Sequence, residues 1–136
     1  MSYLLDSNAL IAILNGKPLA VRDRWISVGG AGALVATSSI VVFELTSGAH
    51  KSARPQENIA RLATLLSSSL EVLAFDLDDA DCAGRVRATL EAKGQPIGPF
   101  DVLIAGQALR RGLTLVTANT KEFRRVKGLA LEDWAK

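Results

Sequence analysis

The chain has 136 residues, of which 49% are hydrophobic and 22% charged, and this predicts a single globular domain spanning residues 1–136. Its 16 basic and 14 acidic residues give a net charge of +2, which excludes a strongly basic surface over the whole protein. The one cysteine, Cys82, excludes an internal disulfide. The N-terminus lacks a signal peptide's basic start and no apolar run reaches transmembrane length, so we expect a cytoplasmic protein with no membrane contact.

Short apolar segments alternate with longer helical ones, which is typical of an α/β domain with a mostly parallel central sheet flanked by helices. The predicted strands are residues 2–6, 33–37, 71–74 and 113–117, with a weaker one at 129–131. The predicted helices are residues 8–15, 18–28, 39–51, 56–68, 77–93, 100–111 and 120–125. Several of them are expected to end at glycines, namely Gly16, Gly29, Gly30, Gly94 and Gly112.

Asp6 directly follows the first predicted strand, in MSYLLDSNALIAIL, where apolar residues lie on both sides of it. A charge in such surroundings is costly unless a partner or a bound ion compensates it. Open parallel sheets bind ligands at the carboxyl ends of their strands. Asp6 is therefore a candidate site residue, and Asn119, which follows the strand segment LTLVT, belongs to the same edge.

Glu44 lies in the helical segment SSIVVFELTSGA, where its neighbours three and four residues away carry no positive charge. A buried glutamate in this position must be protonated, paired from another element or bound to a cation. The small residues Ser47 and Gly48 leave space beside it. The alternative, which stays open, is that this helix has a thin solvent-exposed edge on which Glu44 lies.

Asp101 and Asn119 have local explanations beside a functional one. Asp101 opens the helical segment IGPFDVLIAGQALRRG, and an aspartate in a first turn is stabilised by the helix dipole by about 0.3–1 kcal/mol. Asn119 begins the segment NTKE, which matches a capping box with Glu122 as its second member. Asn8, close to Asp6, likewise fits either a local role or a site.

Asp6, Glu44 and Asp101 lie on three different predicted elements, each beside apolar residues. If they converge, they cannot all stay ionised without a counter-charge, which a hard cation with oxygen ligands, Mg²⁺ or Mn²⁺, would supply. The chain has no Cys/His cluster for zinc and no Gly-rich phosphate loop, and its single histidine, His50, fits a helix end. Mg²⁺ held by carboxylates best serves phosphoryl transfer or phosphodiester hydrolysis.

Three segments carry a resemblance to a known family, YLLDSNALIAILNG, SSIVVFELTSGA and PIGPFDVLIAGQALRRGLTLVTANTKEFRRVKGLALEDW. In this order and spacing, from Tyr3 to Trp134, the chain resembles the PIN-domain ribonucleases. More narrowly, it resembles the VapC toxins of bacterial type II toxin–antitoxin systems. The resemblance implies a PIN-like fold and a metal-dependent endoribonuclease.

The resemblance also implies roles for individual residues. The metal ligands are expected to be Asp6, Glu44 and Asp101, and these are also the expected catalytic residues, together with Asn119. Many PIN domains have a fourth acidic residue where this chain has Asn119. The residues expected to line the pocket are Ser7, Asn8 and Thr117, with Asn8 as a local organiser.

The partners that the resemblance implies are an RNA substrate, a cognate VapB-like antitoxin and a second copy of the chain in a homodimer. The RNA is expected to be cut in single-stranded loops, often those of tRNA. The antitoxin's C-terminal segment is expected to bring a basic side chain to the acidic pocket. Basic residues at 110–111 and 121–127 are candidates for contacts with RNA phosphates.

Two other interpretations remain. A Mg²⁺-dependent phosphatase with an aspartyl nucleophile needs a second aspartate two residues after the first, where this chain has Asn8. A non-catalytic PIN-like module that binds RNA or protein is expected to lose an acidic ligand, and Asn119 is a partial sign of such a loss. Asn8 disfavours the phosphatase, and the presence of Asp6, Glu44 and Asp101 favours the ribonuclease over the binding module.

Overall fold

In the computed structural model, residues 1–136 form five strands and seven helices. The strands β1 to β5 span Ser2–Leu5, Leu34–Ser38, Glu71–Leu73, Thr114–Val116 and Leu131–Glu132. The helices α1 to α7 span Ser7–Asn15, Leu19–Gly30, Ser39–Lys51, Pro55–Leu66, Leu77–Ala92, Pro99–Arg111 and Thr120–Phe123. The predicted helices and strands are confirmed, with their ends displaced by at most two residues. None of the helices is both long and apolar enough to cross a membrane.

The five strands form one fully parallel sheet in the order β3-β2-β1-β4-β5. The central strand β1 pairs with β2 on one side and with β4 on the other. The chain builds outward from β1 through β2 to β3 and then crosses back to β4, so the strand order reverses between β1 and β4. Such a reversal opens a crevice at the carboxyl ends of the strands. Asp6 follows β1 there, and Thr117 follows β4.

The core lies on both faces of β1, as expected for a parallel strand covered by helices on either side. Leu4 and Leu5 are fully buried, and so is Leu115 on β4. Trp134, near the C-terminus, packs edge-on against Tyr3 with a ring-centroid distance of 5.3 Å. Both of these aromatic residues are buried and belong to the core.

Helices α5 and α6 pack closely through Gly106. A Cβ atom added at Gly106 would lie 2.5 Å from the Cα atom of Ala83 on α5, so no larger residue fits without a shift of backbone. This close approach holds α6, whose first turn carries Asp101, against the body of the domain.

The end of α6 is fixed to the start of α5 by an ion cluster around the buried Asp79. Arg110 Nε donates to Asp79 Oδ1 at 2.7 Å, and Arg111 Nη2 donates to Asp79 Oδ2 at 2.9 Å. Burial alone raises the pKa of Asp79, but hydrogen bonds from Arg111, the Asp76 backbone and Arg110 together hold it well below its usual range. The expectation that Arg110 and Arg111 are free to contact RNA phosphates is wrong, because both guanidinium groups are engaged inside the chain.

Candidate active site

Asp6 is both the cap of α1 and the most buried carboxylate at the sheet edge, with 4% of its surface exposed. Its Oδ1 atom accepts a hydrogen bond from the Ala9 backbone N–H at 2.9 Å. Burial raises the pKa of Asp6 to about 6, although hydrogen bonds from the Thr117 hydroxyl and the Ala9 N–H lower it, and the charges of Asp101 and Glu44 raise it further. Asp101 and Glu44 therefore lie near enough to Asp6 for their charges to affect its pKa, which supports part of the predicted convergence.

Glu44 faces the same edge from α3. Its Oε1 atom accepts a hydrogen bond from the Ser7 hydroxyl at 2.9 Å, which joins α3 to the first turn of α1. Ser7 and Glu44 line a cavity of about 440 Å³. Gly48 also lines this cavity, so the space that the sequence predicted beside Glu44 is present.

Asp101 lies in the first turn of α6, two residues after Pro99, which begins the helix. It is half-buried, and a Cβ atom added at Gly98 would come within 2.9 Å of its Oδ2 atom. Burial raises the pKa of Asp101, and the charge of Glu122 raises it further. Asp101 can therefore be stabilised by the dipole of α6 and also belong to the site, because the first turn of α6 points into the crevice.

Glu122 lies beside two predicted site residues, since it hydrogen-bonds to Asn119 and its charge raises the pKa of Asp101. The expected capping box at Asn119 does not form, since α7 has no side-chain cap. Instead, the Asn119 side-chain amide donates to Glu122 Oε2, and the Asn119 backbone N–H donates to Thr117 Oγ1 at 2.9 Å. Asn119 thereby holds Glu122 near Asp101. The sequence signal was present, because Glu122 lies one helical turn after a residue at the sheet edge.

Of the two remaining predicted site residues, Thr117 lies at the site and Asn8 does not. Thr117 is 1% exposed and links Asp6 to the Asn119 backbone through its hydroxyl group, so it belongs to the site. Asn8 is exposed, makes no side-chain hydrogen bond within the chain and lines a separate cavity beside Trp134. The structure does not bring Asn8 to the carboxylates, because successive helical residues are rotated by about 100° from each other.

The carboxylates of the site have no cationic partner within the chain. Six other acidic residues pair with arginine, whereas Asp6, Glu44, Asp101 and Glu122 do not. As they stand, no three acidic, histidine or cysteine side chains form a group that could hold a metal ion. Without a cation the negative carboxylates repel one another, and the hydrogen bond from the Ser7 hydroxyl holds Glu44 in its present position. The all-oxygen donor set nevertheless fits a hard divalent cation, and the three-ligand assignment stays a prediction.

Comparison with known proteins identifies the family. A profile described as the PIN domain matches residues 3–129. The tRNA(fMet)-specific endonuclease VapC of Shigella flexneri is 42% identical over 135 residues, which cover 99% of each chain. The chain belongs to the VapC family of PIN-domain ribonucleases. Ribonuclease VapC2 of Haemophilus influenzae is another relative, 37% identical over 134 residues and 98% of each chain.

Solved structures agree with this family membership. The structure of DNA-bound VapBC from Salmonella typhimurium matches with a TM-score of 0.89 and 40% identity, covering 98% of each chain. VapBC2 of Rickettsia felis, bound to a promoter DNA fragment, matches with a TM-score of 0.90 and 36% identity over 98% of this chain and 99% of that one. The VapC relatives are named as nucleases, which confirms the predicted enzyme class of a nuclease and excludes the phosphatase interpretation.

Proposed function

We propose that this VapC-family protein is a Mg²⁺- or Mn²⁺-dependent endoribonuclease toxin that cuts tRNA and is neutralised by a VapB-like antitoxin. One observation supports the metal-dependent activity: Asp6, which directly follows β1, is buried without a basic partner and is influenced by the charges of Asp101 on α6 and Glu44 on α3. The tRNA substrate is proposed because the Shigella flexneri relative is named for tRNA(fMet). A tRNA substrate requires the enzyme to act in the cytoplasm.

The proposed chemistry assigns a task to each side chain of the site. Asp6, Glu44 and Asp101 are the ligands that would hold the cation, which supplies an activated water and neutralises charge on the phosphate when bound. Thr117 holds the Asp6 carboxylate in place, and Ser7 holds that of Glu44. These hydrogen bonds fix the ligands before the substrate arrives, which lowers the cost of ordering the site during the reaction.

Asn119 and Glu122 form the fourth side of the proposed site. An asparagine at the position of a fourth acidic residue keeps an oxygen and an amide donor but removes a charge. The amide donor is engaged with Glu122, whose carboxylate adds negative charge near Asp101. We propose that Glu122 thereby supplies part of the negative potential that an aspartate at 119 would provide.

The proposed phosphate contacts are basic side chains of the segment 121–127. Lys121, Arg124 and Lys127 are exposed, and their side chains make no hydrogen bond or ion pair within the chain. They lie in or just after α7, next to Asn119 and Glu122. Each phosphate contact by such a cation steepens the dependence of RNA binding on salt.

The antitoxin is proposed to occupy the cavity beside Glu44, between α1, α3 and α4. Its apolar lining is formed by Ile11, Leu14, Leu45, Ala49 and Leu62, and Glu44 and Ser7 lie at its carboxylate end. An apolar peptide segment fits such a lining, and a basic side chain at its tip would pair with uncompensated carboxylates. The matched Salmonella and Rickettsia structures are VapBC assemblies, which supports this proposal.

We also propose that the chain forms a homodimer. Leu77, at the start of α5, is the most exposed large apolar side chain, with 85% of its surface accessible in the single chain. A side chain of this kind is often covered by a partner. Light scattering on the purified protein would give twice the chain's mass of 14.4 kDa if the proposal holds and the single mass if it does not.

Cleavage of end-labelled tRNA by purified, antitoxin-free protein tests the proposed function. Three reactions are compared: with Mg²⁺ or Mn²⁺, with excess EDTA, and with metal and the Asp101→Asn variant. We expect discrete fragments in the first reaction alone. Intact RNA in every reaction, from protein shown to be folded, would favour another RNA target or the non-catalytic binding module. Equal cutting by the variant would contradict the carboxylate site itself.

A further inference from the structure

Phe43 and Phe100 are the only exposed aromatic residues of the chain. Their exposed fractions are 57% and 40%, whereas the other five aromatic residues are buried or half-buried. The two rings contact each other across α3 and α6, with centroids 5.5 Å apart and planes inclined by 50°. An aromatic pair in solvent gives up the burial that stabilises most phenylalanines. Core packing therefore does not explain where these rings lie.

The position of the pair relates it to the carboxylates. Phe43 immediately precedes Glu44 on α3, and Phe100 immediately precedes Asp101 in the first turn of α6. Neighbouring helical residues are rotated by about 100°, so a ring beside each inward-facing carboxylate comes to lie at the rim of the crevice. The two elements that carry predicted metal ligands thus also carry the exposed rings.

We propose that Phe43 and Phe100 form a stacking platform for a nucleobase of the RNA substrate, next to the phosphate that is cut. The proposal rests on the proposed ribonuclease function and adds to it a residue pair that positions the substrate. Single-stranded RNA is bound through bases that stack on aromatic side chains, and any base can stack because each has a π-face. The platform therefore favours an unpaired nucleotide at the cleavage site over a base-paired one.

The pair suits one nucleobase better than a second copy of the chain. A stable protein interface buries about 800 Å² on each partner, far more than two rings provide. Leu77, the most exposed apolar side chain, cannot extend the patch. It lies at the start of α5, which is fixed to Arg110 and Arg111 at the far end of α6 from Phe100. The ten-residue step from Phe100 to Arg110 corresponds to about 15 Å of helix.

Steady-state cleavage kinetics test the role of the two rings. The variants are Phe43→Leu and Phe100→Leu, which remove the ring, and Phe100→Trp, which restores a stacking surface. The matched control is Ile26→Ala, which removes an apolar side chain with 65% exposure on α2. Loss of one stacked base weakens binding by roughly 5- to 150-fold, so we expect KM to rise by about tenfold for each leucine variant. Phe100→Trp should recover most of the KM loss of Phe100→Leu, and Ile26→Ala should keep the wild-type KM.

Photocrosslinking tests the platform separately from cleavage. A single-stranded RNA carrying 5-iodouridine at successive positions is bound to wild-type protein in EDTA and irradiated, and the linked peptide is identified by mass spectrometry. We expect links to Phe43 or Phe100, lost in the leucine variants, whether or not the protein cuts that RNA. Links only to other residues, or no RNA binding, would overturn the platform. So would leucine variants that keep the wild-type KM, or that lose the mass of a dimer in light scattering.

Discussion

The carboxylate of Asp101 lies directly over Gly98, with Oδ2 only 2.9 Å from where a Cβ atom of residue 98 would be. Gly98 has φ −54° and ψ 148°, a conformation open to any residue. Glycine at this position therefore matters for space and not for backbone conformation, because an added Cβ atom would make the end of the Asp101 side chain shift. The loop before α6 leaves room for the carboxylate of a predicted metal ligand.

Gly98→Ala should impair the site without impairing the fold. The new methyl group forces the Asp101 carboxylate to shift, so we expect metal affinity and cleavage each to fall by about tenfold, the effect of 1.4 kcal/mol. Stability should stay equal or rise slightly, because alanine restricts the unfolded chain. Mn²⁺ titration and thermal melts measure the two effects. Gly29→Ala, which meets no atom within 4 Å, is the control. Unchanged affinity in Gly98→Ala would show that Asp101 does not bind metal.

The stability of the metal-free protein should fall as the pH rises from about 4 to 6.5. The folded-state pKa of Asp6 is about 6 and its ordinary value is 3.8, so the folded chain binds the extra proton between these values. Raising the pH through this window removes roughly 1 to 2 kcal/mol of stability from Asp6 alone. The depressed pKa of Asp79 changes stability in the opposite direction. Its contribution is lost as the pH falls below the ordinary range of an aspartate, because protonation breaks its ion pairs.

Urea unfolding at several pH values, with EDTA present, measures this slope. The Asp6→Asn variant should show a clearly smaller slope over this window, because an amide does not titrate and only the raised pKa of Asp101 still contributes with the same sign. Added Mg²⁺ should restore stability to the wild-type protein at the upper end of the window, since the ion binds only the folded state. A slope of the same size in wild type and Asp6→Asn would contradict the burial argument for Asp6.

Glu122→Gln should weaken metal binding and stabilise the metal-free chain near neutral pH. The charge of Glu122 raises the pKa of Asp101, so its removal relieves repulsion in the empty site and lowers the attraction for a cation. We expect Mn²⁺ affinity to drop severalfold by calorimetry, with a small rise in the unfolding midpoint in EDTA. The control is Glu71→Gln, an exposed unpaired acid on β3. If both variants bind Mn²⁺ like the wild type, Glu122 has no part in the site.

Gly106→Ala and Gly84→Ala should change stability in opposite directions, although both lie within helices. A methyl group at Gly106 would overlap Ala83 on the facing helix, and overpacking of this kind costs typically about 1–3 kcal/mol. Gly84 meets no atom within 4 Å, so alanine there should stabilise α5 by up to about 1 kcal/mol. Chemical denaturation of both variants tests the pair. Equal effects would mean that α5 and α6 do not approach as closely as the structure has them.

The sequence predicted the elements well because their signals are local. The helices end at Gly16 and Gly112, which have positive φ values, and Ser38 caps α3. Each of these helix starts and ends is thus signalled by a single residue in the sequence. Asp6 and Glu44 were identifiable as site residues because each is a charge in apolar surroundings. Such signals do not depend on which parts of the chain meet in space.

The residues that were assigned incorrectly depend on long-range contacts. Arg110 and Arg111 pair with Asp79, which precedes them by more than 30 residues and shows no local sign of the partnership. Glu122 had a sufficient local explanation as a capping residue, so its approach to Asp101 across the crevice was not evident. Both errors concern charges whose partners are set by the packing of helices against the sheet.

Direct observation of the cation tests the central claim. Crystals of the protein grown with Mn²⁺ would be measured at a wavelength where manganese scatters anomalously. We expect an anomalous peak at the β1/β4 crevice, within ligand distance of oxygen atoms of Asp6, Glu44 and Asp101, and no such peak for Asp101→Asn crystals grown in the same way. A peak elsewhere, or an empty crevice at saturating Mn²⁺, would contradict the carboxylate metal site.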